Sequence, residues 1–186
     1  NAAGRQSQAT PVRLEIERRG TLDALAIRPA LRRAPGPGEV EIRVQAAGLN
    51  FRDVMNALGT YPGDPGPLGD ECAGVVVATG PGVRHLQVGD PVMAFMPGCF
   101  ASYATGLATM VVRRPLTLSP EQAAGVPVVF MTAAMALERI AKLRAGQRVL
   151  IHAAAGGVGL AAVELALRAG VEVFATAGSE AKRQYL

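Results

Sequence analysis

Val149-Leu150-Ile151-His152 runs into Ala153-Ala154-Ala155-Gly156-Gly157-Val158-Gly159, and Gly170 closes the stretch that follows. The first four residues, apolar up to His152, read as a buried strand. After the glycine-rich turn comes a helix over 158–168, stopped at Gly170, and then a second apolar strand over 171–175. Strand, turn, helix and strand in about 30 residues make a βαβ unit with parallel strands. The stretch predicts the start of an α/β domain with a doubly wound parallel sheet.

Within the turn, Ala154 to Gly159 fill the pattern G-x-G-x-x-G with alanine in the first place. The pattern works through a tight bend, a bare backbone where a diphosphate approaches, and a small residue where helix meets strand. Amides at the helix N-terminus then face the phosphates. Ala155, Gly156, Gly157, Val158 and Gly159 are therefore expected to bind a dinucleotide. An NAD site places an acid about 20 residues further on, at the end of the second strand. Here Ser179 stands near that place and Lys182 and Arg183 follow. A hydroxyl and two cations suit a 2′-phosphate, so NADPH is favoured. Glu180 would restore an acid after a one-residue slip, and Lys182 and Arg183 also fit a solvated helix start.

Upstream, Ser119-Pro120-Glu121 is a helix start, and 123–145 reads as helix broken near Pro127. The composition changes here, which predicts a β-rich domain over 1–120 (1–10 being a polar linker) and a nucleotide-binding domain over 121–186. In the first part, Val12-Arg13-Leu14-Glu15-Ile16 and Val40-Glu41-Ile42-Arg43-Val44 alternate like strands with one wet face. Residues 33–38 are a turn, and Asn50 can cap a short helix over 51–58 closed by Gly59. Tyr61-Pro62-Gly63-Asp64-Pro65-Gly66-Pro67 is a rigid loop. Strands follow over 72–79 and 91–95. The rhythm is that of a small barrel or sandwich.

The 186 residues are 49% hydrophobic and 18% charged, the composition of a globular chain. The net charge of +4 comes from scattered arginines, and aromatics make up 4%, which argues against a nucleic-acid partner. No apolar run reads as long enough to cross a membrane, and no hydrophobic signal region opens the chain, so a cytoplasmic location is expected. Cys72 and Cys99 are too few for a disulfide framework or a four-cysteine zinc lobe.

Three segments carry a resemblance. They are Ala47-Gly48-Leu49-Asn50-Phe51-Arg52-Asp53, Leu58-Gly59-Thr60-Tyr61-Pro62-Gly63 and Leu68-Gly69-Asp70-Glu71-Cys72-Ala73-Gly74-Val75. With Val128-Val129-Phe130-Met131-Thr132-Ala133 and the glycine turn, they resemble the medium-chain dehydrogenase/reductase superfamily. More narrowly, they resemble the enoylreductase domains of modular polyketide synthases and animal-type fatty acid synthases. The resemblance implies an all-β GroES-like domain followed by the start of a Rossmann domain. The sheet would continue beyond Leu186, since two strands alone leave an apolar edge.

Zinc-dependent members of the superfamily use a cysteine and a histidine where this chain has Asn50 and Asp70, so no metal site is expected. The resemblance implies NADPH-dependent reduction of an enoyl thioester on an acyl carrier protein, beside ketoreductase and dehydratase domains of the same polypeptide. It places Asn50 and Thr132 at the cofactor and makes Tyr61 and Lys182 the candidate proton donors. Arg52 falls where the family lines its cofactor cleft. A free-standing quinone or enone reductase, or an inactive nucleotide-binding domain of a synthase, are the alternatives.

Overall fold

The computed structural model describes residues 10–186, so the predicted linker lies outside the described residues except for Thr10. The chain divides into two compact units, Asn1–Gly125 and Val126–Leu186.

In the first unit, β1 (Val12–Ile16) and β2 (Leu25–Pro29) form an antiparallel hairpin. A separate antiparallel sheet is built from β3 (Glu39–Ala47), β4 (Glu71–Thr79), β5 (Pro91–Phe95), β6 (Tyr103–Leu107) and β7 (Val111–Arg113). Its order is β6-β3-β4-β5-β7. The alternation read in β3 places Val40 and Ile42 in a core with Cys72, Val76, Val92 and Val111. Helix α1 (Phe51–Ala57) leaves the end of β3, and Gly59 at φ +69 lets the chain turn away from it. Ser119 caps α2 (Pro120–Ala124), whose Ala123 and Ala124 pack on Ala73 of β4.

The second unit holds α3 (Pro127–Ala134), a π-helical turn over Met135–Ile140, β8 (Arg148–Ile151), α4 (Gly157–Arg168), β9 (Glu172–Ala175) and α5 (Glu180–Tyr185). β8 and β9 pair in parallel from Arg148↔Glu172 to Ile151↔Ala175, as the βαβ pattern requires. The helix predicted over 123–145 is shorter: its regular part is interrupted at Gly125 and Pro127, and it ends at Ile140. One expectation is corrected. Pro120–Ile140 is long and apolar enough to cross a membrane by length and composition, with mean hydropathy 1.4. Its apolar residues nevertheless contribute to two packed cores, through Ala123 and Ala124 in the first unit and Ala133 in the second.

The turn between β8 and α4 is tight. Ala153 adopts φ +51, and backbone bonds tie the turn to the strand ends: Ala154 N donates to Thr176 O at 2.9 Å, and Thr176 N to Ile151 O at 3.0 Å. A Cβ at Gly159 would stand 2.4 Å from Ala153 O and 2.6 Å from Ala154 Cα, whereas one at Gly156 would meet only Ala153 O at 3.3 Å. The two glycines therefore have different duties. Gly159→Ala is expected to cost about 1–3 kcal/mol of stability through overpacking. Gly156→Ala meets a single close atom at an exposed position and is expected to cost less, about 0.5–1 kcal/mol. Denaturant unfolding of the two variants checks this, and equal losses would contradict it.

A second expectation concerns acid. The Glu39 carboxylate at the start of β3 accepts from the Arg33 guanidinium and, at 2.8 Å, from the Gly36 amide. Arg33 first, then the Gly36 amide, lowers its pKa to about 2. A depressed carboxylate pKa stabilises the fold above the unfolded value of about 4.3, and that contribution disappears as the pH falls toward 2. Glu39→Gln is therefore expected to lose part of the stability dependence between about pH 4.5 and 2, measured by thermal unfolding against pH.

Candidate active site

Asn50 stands at the N-cap of α1 with extended backbone, where the sequence predicted it, and forms a capping box with Asp53. Its carboxamide NH2 donates to Glu71 Oε1 at 2.9 Å, and Asp53 Oδ2 accepts from the Asn50 backbone amide at 2.9 Å. Glu71 opens β4 and is 1% exposed. A side chain at position 48 would collide with this pair, since a Cβ on Gly48 would lie 2.3 Å from Glu71 Oε1 and 2.6 Å from Ala124 O. The residues on either side of Asn50 are apolar and open to solvent: Leu49 is 72% and Phe51 76% exposed.

The loop 61–70 is held by the side chains of α1. Arg52 pairs with Asp70 and donates from Nη2 to Pro65 O at 2.7 Å. Asp53 Oδ1 accepts from the Gly69 amide at 2.8 Å, and Asn56 Nδ2 donates to Gly66 O at 3.0 Å. Tyr61 begins the loop with its amide directed at Met55 O, 3.3 Å away, and the Arg52 guanidinium carbon lies 5.3 Å from its ring centroid. Asp70 thus engages a guanidinium. Among the described residues, no group of three His, Cys, Asp or Glu side chains converges as metal ligands do.

Ala155, Gly156, Gly157, Val158 and Gly159 form the turn and first residues of α4 in the second unit. Gly156 is the N-cap, with φ −90 and ψ 169, and its outer side is bare. The amides that open α4 have no carbonyl one turn back to take them. The cradle therefore fits a diphosphate. Thr132 lies on α3 and its hydroxyl donates to Val128 O at 2.7 Å, leaving oxygen lone pairs free to accept. Ser179 caps α5, its Oγ accepting from Lys182 N at 3.3 Å. Arg183 is partly committed to Glu180, with Nη2 2.7 Å from Oε2, whereas Lys182 forms no ion pair among the described residues.

Tyr61 and Asn50 could be named from sequence, but the Asn50–Glu71 bond and the Arg52–Asp70 pair emerge only in three dimensions. The one available signal was the loop itself, whose prolines and glycines leave carbonyls and amides for other elements to satisfy.

Residues 36–134 match the family model of the alcohol dehydrogenase GroES-like domain. Over 178 residues the chain is 46% identical to a phenolphthiocerol/phthiocerol polyketide synthase of Mycobacterium tuberculosis, covering 94% of this chain and 8% of that protein. It is 51% identical over 170 residues to the pikromycin polyketide synthase component PikAII of Streptomyces venezuelae, covering 89% of this chain and 4% of the relative. The crystal structure of the CurK enoyl reductase superposes with a TM-score of 0.89 at 42% identity, over 95% of this chain and 56% of that one. The chain thus spans less than a tenth of these synthases and little more than half of the solved reductase. A family match across more than half its length, joined to a parallel strand–turn–helix–strand unit, places this chain in the alcohol dehydrogenase GroES-like family of the medium-chain dehydrogenase/reductase superfamily.

Proposed function

We propose that this chain is part of an NADPH-dependent enoyl reductase that reduces the α,β double bond of an enoyl thioester on an acyl carrier protein. It would act in the cytoplasm, during polyketide or fatty acid building, with ketoreductase and dehydratase domains as neighbours in the same polypeptide. The GroES-like unit would serve the substrate and the α/β unit the cofactor. The reading rests chiefly on the Gly156 turn, whose bare outer side opens a helix between two parallel strands.

NADPH, when bound, supplies hydride. In this reading Ala155, Gly156, Gly157 and Val158 leave room for the diphosphate, and Gly159 lets α4 close on the turn. Ser179, Lys182 and Arg183 attract the 2′-phosphate, with Lys182 the less committed cation. Asn50 and Thr132 offer hydrogen bonds to the cofactor. Leu49 and Phe51 supply apolar surface for an acyl chain. The Tyr61 phenol holds the proton destined for the α-carbon, and the Lys182 ammonium is the other candidate donor.

The full-length protein is expected to bind NADPH and to reduce a crotonyl pantetheine thioester in preference to a simple quinone. The opposite preference would point to a quinone or enone reductase, and binding without turnover of any enoyl thioester to an inactive domain. Gly156→Val is expected to weaken NADPH binding by roughly 100-fold, about 2.7 kcal/mol, while circular dichroism of the β-rich unit stays unchanged. Unchanged affinity would refute the site. Tyr61→Phe is expected to alter the α-carbon configuration of a methyl-branched product, or its rate, and no effect on either would leave Tyr61 a packing residue.

A further inference from the structure

The partners of Arg52 lie on three points of one loop. The loop 61–70 contains three prolines, which bring no amide, and Gly63, Gly66 and Gly69 at φ +80, +67 and +84. Such a segment pairs poorly with itself. The guanidinium bonds to Asp70 at the end of the loop and to Pro65 O in its middle, and lies 5.3 Å from the ring centroid of Tyr61 at its start. That separation is within the range of a cation–π contact. The guanidinium pKa is raised, mainly by Asp70 and more weakly by the Tyr61 phenol.

We infer that Arg52 is a positioning residue for Tyr61: a guanidinium anchored by Asp70 and Pro65 O sets the orientation of the Tyr61 ring and so of its phenol. The inference deepens the proposed function and rests on it for the role of the phenol, but the geometry of the clamp stands apart from that role. The shape of the group matters. A guanidinium is flat, donates in two directions at once and can lie against a ring, whereas an ammonium is a point charge. Lysine at position 52 could keep an ion pair with Asp70 but not the bond to Pro65 O and the ring contact together.

The test uses the full-length protein carrying 3-fluorotyrosine, with the Tyr61 line assigned by its loss in Tyr61→Phe. Fluorine NMR reads ring placement without substrate or cofactor, and the α-carbon configuration of a methyl-branched thioester product reads function. Arg52→Gln and Arg52→Lys are both expected to move the Tyr61 line toward that of free fluorotyrosine. Both are expected to erode the configuration ratio by about tenfold, with KM within about twofold. Asp64→Ala is the control. It removes a bond within the same loop (Gly66 N to Asp64 Oδ1, 2.9 Å) without touching Arg52, and both readouts should stay as in the parent.

A parent-like Tyr61 line in Arg52→Lys overturns the clamp, as does an Asp64→Ala shift as large as that of Arg52→Gln, which would mean general loop loosening. Should Arg52→Gln fail to fold, Arg52→Lys carries the test alone. If the fluorine line moves as expected but the parent protein reduces no enoyl thioester, the clamp stands and the proposed function falls.

Discussion

A loop rich in proline and glycine cannot satisfy its own backbone, and in this protein α1 does it for the middle of the loop, while the amides of Met96, Cys99 and Phe100 do it for its end. Between residues 61 and 70 three prolines remove amides, and three glycines hold left-handed conformations that most residues would resist. The carbonyls of Pro65 and Gly66 and the amide of Gly69 take partners from Arg52, Asn56 and Asp53, three residues of one seven-residue helix. Each is polar for this reason. The position of Tyr61 follows from the same ties, because the loop leaves α1 through bonds from Thr60 N and Tyr61 N to Met55 O. The site in the first unit is therefore as rigid as the contact between α1 and its loop.

The second unit solves the same accounting with one threonine. Ala153 takes a left-handed conformation that costs a non-glycine residue energy, and it persists because the ends of β8 and β9 fix it from both sides. Thr176 lends its amide to Ile151 O, its carbonyl to Ala154 N and its hydroxyl to Ala153 N at 3.3 Å and to the His152 ring at 3.1 Å. The turn is thus organised by protein atoms alone, leaving the outer side of Gly156 free. A ligand arriving there would not have to order the backbone first, which is how a site gains affinity without added contacts.

Periodicity made the regular elements legible. The bounds of β5 are those expected from the sequence, and α4 and β9 fall within a residue of expectation, because turn residues, apolar spacing and Gly170 at φ +70 are local signals. Strands β2, β6 and β7 were harder. Leu25–Pro29 ends in proline, Tyr103–Leu107 has little alternation, and Val111–Arg113 is three residues long. Their strand character comes from pairing with distant partners. The site divides in the same way. Tyr61, Asn50 and the glycine turn each sit in a local pattern, and that pattern is what makes them candidates. The side-chain bonds joining Asn50 to Glu71 and Arg52 to Asp70 span 21 and 18 residues, and no local pattern encodes them. Asn50 shows both sides of this: its place at the N-cap is a local signal, whereas the bond from its NH2 group to a buried carboxylate is not.

The same bonds explain how the first unit tolerates so many acids near one another. Asp53, Asp70 and Glu71 are all buried, and a buried carboxylate without partners is costly. Asp53 spends its two oxygens on two backbone amides, Glu71 takes the Asn50 carboxamide, and Asp70 has the guanidinium of Arg52. Where zinc-dependent members of the superfamily would place a thiolate and an imidazole, this chain has a carboxamide and a carboxylate. Each is a hydrogen-bonding group with a partner already in place. The pair that neutralises Asp70 is also the pair that reaches Pro65 and lies beside Tyr61, so charge balance and loop position are a single constraint. A substitution at Arg52 cannot relax one without disturbing the other, and this is why an arginine 38% exposed at its side chain has consequences for the ring of Tyr61, beyond the end of its own helix.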